Sequence, residues 1–106
     1  ILNSVAVSNN YGFYQTPTSS YDVFTYDLAY DNGTDWYGYA DSAATGNQTT
    51  DPVFVDFTGD GDGTNDDLSL DTTSPGIDAG HPAAIYDDVD GSQNDMGAYG
   101  GPYGSW

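Results

Sequence analysis

The sequence predicts an all-β chain, built as a short right-handed parallel β-helix with a loop-rich C-terminal end. Three observations lead there. Helical apolar periodicity is absent, and Gly, Pro, Asn, Asp or β-branched residues interrupt every helix-length window. Short apolar or alternating runs recur between turn clusters such as SNNYG, DNGTD and TGDGDG. The first run also echoes further along: a shift of about 23 residues sets Val5 on Leu28, Val7 on Tyr30 and Asn9 on Asn32. A period in the low twenties fits one coil of a parallel β-helix, whose strands stack about 4.8 Å apart. A β-sandwich with coincidental spacing is the alternative at this point.

Four runs read as strands: ILNSVAV (1–7), YDVFTYDLAY (21–30), DPVFVDF (51–57) and LSL (68–70). Residues 1–50 would form about two coils, and 51–106 a terminal coil with a C-terminal extension. At 106 residues the chain is one domain's worth of material, near the lower end of what a single core supports. Without cysteine, it has no disulfide framework, thiolate metal site or thiol nucleophile.

Charge is the dominant compositional fact. The chain has 17 acidic residues, all of them Asp, with one His and no Lys or Arg, for a formal charge of -17. Average usage would supply roughly a dozen basic side chains. Nothing here can displace counterions from phosphate or dock on an anionic bilayer, so nucleic acid and membrane insertion are excluded as partners. Cations are the partner the composition asks for. An aromatic share of 15% argues for a folded chain rather than an acidic tail.

The segments TYDLAYDN, TTDPVFVD, LSLDTTSPGIDAG and DDVDGSQNDMGAYGG, taken in that order, resemble the closing region of secreted right-handed parallel β-helix proteins of the pectate-lyase-like class. The resemblance runs from about residue 25 to Gly101 and implies the fold and an extracellular location. It does not carry catalysis with it. Lyases of that class use an Arg or Lys base, its hydrolases use an Arg-x-Lys clamp, and this chain has neither residue. The paired carboxylates Asp66–Asp67 and Asp87–Asp88 sit too close together to flank a glycosidic bond from opposite sides. The expectation is a protein that is not an enzyme.

The stretch DFTGDGDGTNDDLSL has the ligand order of a twelve-residue calcium loop and resembles those of dockerin and thrombospondin-type modules. Its candidate Ca²⁺ ligands are Asp56, Thr58, Asp60, Asp62, Thr64 and Asp67, with Gly61 at the sharp turn. It departs from the pattern in closing on Asp rather than Glu, in placing Gly63 where an apolar residue is usual, and in lacking flanking helices. The competing reading is a solvated acidic turn. A second candidate set, Asp88, Asp90, Asn94 and Asp95, either closes on an ion or braces a turn through side-chain hydrogen bonds to backbone N–H groups. His81 stands alone and reads as a turn residue. Asn32 and Asn47 open the glycosylation triplets NGT and NQT.

Tyr11, Tyr14, Tyr21, Tyr26, Tyr30, Trp36, Tyr37 and Tyr39 crowd the first forty residues, and Tyr99, Tyr103 and Trp106 close the chain. They outnumber what a small core hides, and exposed aromatics serve interfaces or sugar stacking. A β-helix starting at Ile1 leaves an open end. The chain is then either a fragment of a longer β-helix or a subunit covered by its neighbour. The sequence-level expectation is an extracellular, calcium-stabilised structural subunit that forms a homo-oligomer or filament. The alternative is a non-catalytic module of a secreted polysaccharide-active enzyme or adhesin, with Trp36 as a sugar-stacking residue.

Overall fold

In a computed structural model that describes residues 1–16, 22–38 and 43–105, the chain forms six short strands. They are β1 (Val5–Val7), β2 (Tyr11–Gln15), β3 (Leu28–Tyr30), β4 (Thr34–Gly38), β5 (Phe54–Asp56) and β6 (Asp67–Leu70). The all-β expectation holds. Tyr21, Tyr39 and Trp106 lie outside the described residues.

Pairing follows two different rules in the two halves. β1 pairs with β3 in parallel, matching Val5 to Leu28, Ala6 to Ala29 and Val7 to Tyr30. β2 pairs with β4 in the same sense, matching Phe13 to Trp36 and Tyr14 to Tyr37. The left-handed backbone corners come in pairs too: Asn3 with Tyr26 and Ser8 with Asp31, at φ between 54° and 57°. β5 and β6 instead form an antiparallel hairpin, with Phe54 opposite Leu70, Asp56 opposite Asp67, and an irregularity between them.

These strands make three separate two-stranded sheets, which neither curl nor close. The right-handed parallel β-helix is therefore not the fold, and the resemblance to the closing region of pectate-lyase-like proteins does not hold in three dimensions. The physical reason lies in residues 57–66. A parallel return needs a crossover of roughly a dozen residues or more. This connection is shorter and rich in Asp and Gly, so the chain reverses and β6 comes back beside β5. The strand-to-strand offset of the first half thus never becomes a stack of coils.

β2 and β4 lie outside the four runs that read as strands. Gly12, Gly33 and Gly38 interrupt their apolar pattern, yet each allows a close backbone approach. A Cβ at Gly12 would stand 2.6 Å from the Asp35 carbonyl oxygen, and one at Gly33 2.8 Å from that of Asn10. Between them, Phe13, Phe24 and Ala29 form the buried cluster, with Ala6 and Trp36 packed on it. Phe13 stacks on Trp36 at 4.8 Å and meets Phe24 edge-on at 5.7 Å, arrangements each worth about 0.5–1.5 kcal/mol beyond their burial.

Asn and Asp side chains stitch one pass of the chain to the next. The Ser4 amide donates to Asp27 Oδ1 (2.9 Å), the Asn9 amide to Asn32 Oδ1 (2.9 Å) and the Asp27 amide to Asn47 Oδ1 (3.1 Å). Asn32 Nδ2 donates to the carbonyls of Ala6 and Tyr30 and to Asp35 Oδ1. Further along, Asn3 Oδ1 accepts from the His81 amide and the Asn3 carbonyl from the Gly97 amide, which ties the C-terminal loops to the first corner.

Asp27 is fully buried, and its Oδ2 is a buried oxygen with no hydrogen-bond partner. Burial pushes its pKa above the ordinary 3.8, against the lowering effect of the Ser4 amide. A group raised on folding contributes stability that is complete below its unfolded pKa and is lost as pH rises through the folded value. Asp27→Asn keeps an oxygen for the Ser4 amide and removes the charge. The expected outcome is that the variant gains stability over wild type as pH rises from about 3 to 7. Urea unfolding at each pH measures this, and a constant difference across that range contradicts it.

Candidate functional site

The acidic stretch 56–70 is held by its own backbone. Asp60 Oδ1 accepts from the Asp62 amide (2.8 Å), and Asp60 Oδ2 from Asn65 Nδ2 (3.2 Å). Asp62 Oδ1 accepts from the amide and hydroxyl of Thr64, and Asp66 Oδ1 from the amide and hydroxyl of Thr58. Asp67 Oδ1 accepts from the Ser69 amide (3.0 Å). These bonds favour the ionised forms. The Asp62 amide lowers the pKa of Asp60, the Thr64 hydroxyl and amide lower that of Asp62, and Ser69 lowers that of Asp67.

This is a chain of Asx turns, with each carboxylate turned toward a donor two residues on or across the loop. Among the described residues no group of three or more His, Asp or similar side chains converges as a metal would require. Of the candidate ligands Asp56, Thr58, Asp60, Asp62, Thr64 and Asp67, the carboxylates of Asp60, Asp62 and Asp67 are turned to their turn donors. With neither a coordinating cluster nor a β-helix scaffold, the calcium-stabilised, end-to-end filament is overturned as well.

The second acidic set is a brace. Asp88 is buried and accepts from the amides of Asp95 and Gly101. Asp95 accepts from the Asp78 amide at 2.6 Å, and burial raises its pKa. Asp90 takes the Ser92 hydroxyl and amide in an exposed turn. Asn94 Nδ2 reaches the Tyr86 carbonyl, while Asn94 Oδ1 is buried without a hydrogen-bond partner. His81 sits between the rings of Tyr26 and Tyr86, each 5.0 Å away, and its Nδ1 accepts from the Ala83 amide. That is the turn histidine the sequence indicated.

Both glycosylation triplets begin with inward-facing amides. Asn32 Nδ2 has the three acceptors given above, and Asn47 Nδ2 donates to the Phe24 carbonyl at 3.1 Å. A glycan on either nitrogen would displace bonds that join neighbouring passes of the chain.

What the structure does gather at the surface is aromatic. Tyr14 and Tyr37 are register partners in a parallel pair, so their rings stack at 4.9 Å with planes 5° apart. Tyr11 packs edge-on against both, at 5.4 Å and 5.1 Å. The three rings keep 47%, 52% and 43% of their surface exposed for Tyr11, Tyr14 and Tyr37 respectively. One position along each strand, Phe13 and Trp36 point inward. Trp36 is thus a core residue and not a sugar platform, although its buried Nε1 has no hydrogen-bond partner.

The acidic loop yields a direct test. Replacing Asp60 and Asp67 together with Ala should lower the melting temperature by the same amount in millimolar calcium and in chelator, because the bonds these carboxylates make are to Asp62, Asn65 and Ser69. Thermal unfolding in the two buffers reads it, and a loss confined to calcium contradicts it.

Compared with protein-family models, with curated proteins and with solved structures, the chain matches none.

Proposed function

We propose that this chain is a non-catalytic, extracellular binding module that holds a neutral polysaccharide on the cluster of Tyr11, Tyr14 and Tyr37. The observation that carries the reading is three half-exposed tyrosine rings, mutually in contact on one two-stranded sheet. Pyranose rings have an apolar C–H face that packs on an aromatic face, while tyrosine hydroxyls reach for the sugar's rim. Tyrosine suits this work because it offers a large rigid surface with little side-chain entropy to lose.

Charge selects the class of glycan. With a net charge of -17, uronate-rich or sulfated polymers are repelled over the whole surface, which leaves uncharged chains as the fitting ligand. No helix among the described residues is long and apolar enough to cross a membrane. The extracellular setting rests on composition: a chain without Lys or Arg offers trypsin-like proteases no site.

Retention on insoluble neutral β-glucan and on chitin, compared with soluble polygalacturonate, tests the proposal. Wild type should bind a neutral polymer and ignore the anionic one. Tyr14→Ala or Tyr37→Ala should weaken binding about tenfold or more, roughly 1.4 kcal/mol, whereas Tyr103→Ala, fully exposed elsewhere, should not. If no neutral polymer is retained and sedimentation instead shows a dimer that Tyr37→Ala dissociates, the cluster is a contact between copies and the proposal fails.

A further inference from the structure

A trough runs between β1 and the β5–β6 hairpin, on residues other than those of the tyrosine cluster. Three cavities of about 310, 270 and 260 Å³ adjoin there, and Phe54 lines all of them. Val5, Val7, Phe57 and Leu68 each line two, so the spaces are continuous. Phe57 and Leu68 remain 38% and 39% exposed, and no element of the described chain covers them. β1 pairs with β3 alone, so its second edge has no strand partner among the described residues.

The surroundings are acidic. Asp31 and Asp51 line one end of the trough. Asp56 and Asp67, the immediate neighbours of Phe57 and Leu68, face each other directly across the hairpin. Like charges in that position destabilise a pair of strands. The chain has no Lys or Arg to set between them. A second copy brings the same -17 and no Lys or Arg, so charge opposes it as the occupant.

From this geometry and charge we infer that the trough receives an extended, basic segment of another protein, with apolar residues alternating with Lys or Arg. Alternation puts the apolar side chains on Val5, Phe54 and Leu68, and the cations toward Asp31, Asp51 and the Asp56–Asp67 pair. An extended backbone also supplies hydrogen bonds to a free strand edge, the mode by which many sheets take up peptides. Complementary charge speeds the encounter and selects against acidic competitors.

The test uses the whole chain, isotope-labelled, with three synthetic octapeptides: alternating Val-Lys, alternating Val-Glu, and oligolysine, at about 0.1 M salt where long-range attraction is screened. The Val-Lys peptide should bind at least about tenfold tighter than oligolysine, with amide shifts concentrated in β1, β5 and β6, and the Val-Glu peptide should not bind. Leu68→Lys should abolish the interaction. Asp31→Asn with Asp51→Asn, both outside the core, should weaken it several-fold and flatten its salt dependence. Equal binding of oligolysine, shifts confined to the acidic turns of residues 58–66 and 71–73, or full affinity in the Asp31 and Asp51 double variant would overturn the inference. So would no binding of the Val-Lys peptide to wild type.

Discussion

A folded chain with 17 aspartates and no Lys or Arg has to satisfy its acids with neutral donors, and most of the local structure follows from that constraint. The Ile1 nitrogen donates to the Val23 carbonyl. Elsewhere the donors are backbone amides and hydroxyls. Asp51, Asp60, Asp62, Asp67, Asp71 and Asp90 each take the amide two residues on, so each turns the chain where it sits. An ion pair would have let a carboxylate reach across the fold, whereas an amide two residues away keeps it in its own turn. The result is short strands punctuated by self-satisfied corners.

The same chemistry turns inward at a few places and becomes the connection between passes of the chain. Asp27, Asn32 and Asn47 spend their oxygens on amides 20 to 23 residues away, and the bonds of Asp27 and Asn32 reinforce the parallel register of β1 on β3. Asparagine does this at the modest cost of burying an amide. Aspartate at position 27 does it with a charge. That choice leaves Oδ2 without a partner and a pKa displaced upward, a typical mark of a carboxylate removed from water.

How much of this was legible depended on whether the signal was local. The all-β class, the strand segments around Val5, Leu28, Phe54 and Leu70, and the offset that pairs Val5 with Leu28 can be read from residue type and spacing. The closing step to a β-helix could not, because it extends a two-pass regularity into a region where a short acidic connection enforces reversal. Asp-x-Ser/Thr at Asp62, Asp67, Asp71 and Asp90 was available as a signal for Asx turns, and it competes directly with the calcium-loop reading of the same residues. The tyrosine cluster was half legible. Exposure of some rings followed from their number, but which ones did not. A strand boundary moved by one residue exchanges Tyr37 for Trp36 at the surface, and the glycines at 12, 33 and 38 hid those boundaries.

Protonation acts on the two classes of carboxylate in opposite senses. Asp27 and Asp95, raised by burial, give stability that is complete below the ordinary 3.8 and is lost as pH climbs through their folded values. Asp60, Asp62, Asp67, Asp71 and Asp90, lowered by their turn donors, contribute above that value and lose it as pH falls through their depressed ones. The chain has no Lys or Arg to set against the mutual repulsion of its carboxylates. Any partner that brings positive charge to the surface acts against that repulsion. In a chain that cannot supply that charge itself, association with a cationic ligand and stability of the fold are linked by the same electrostatics.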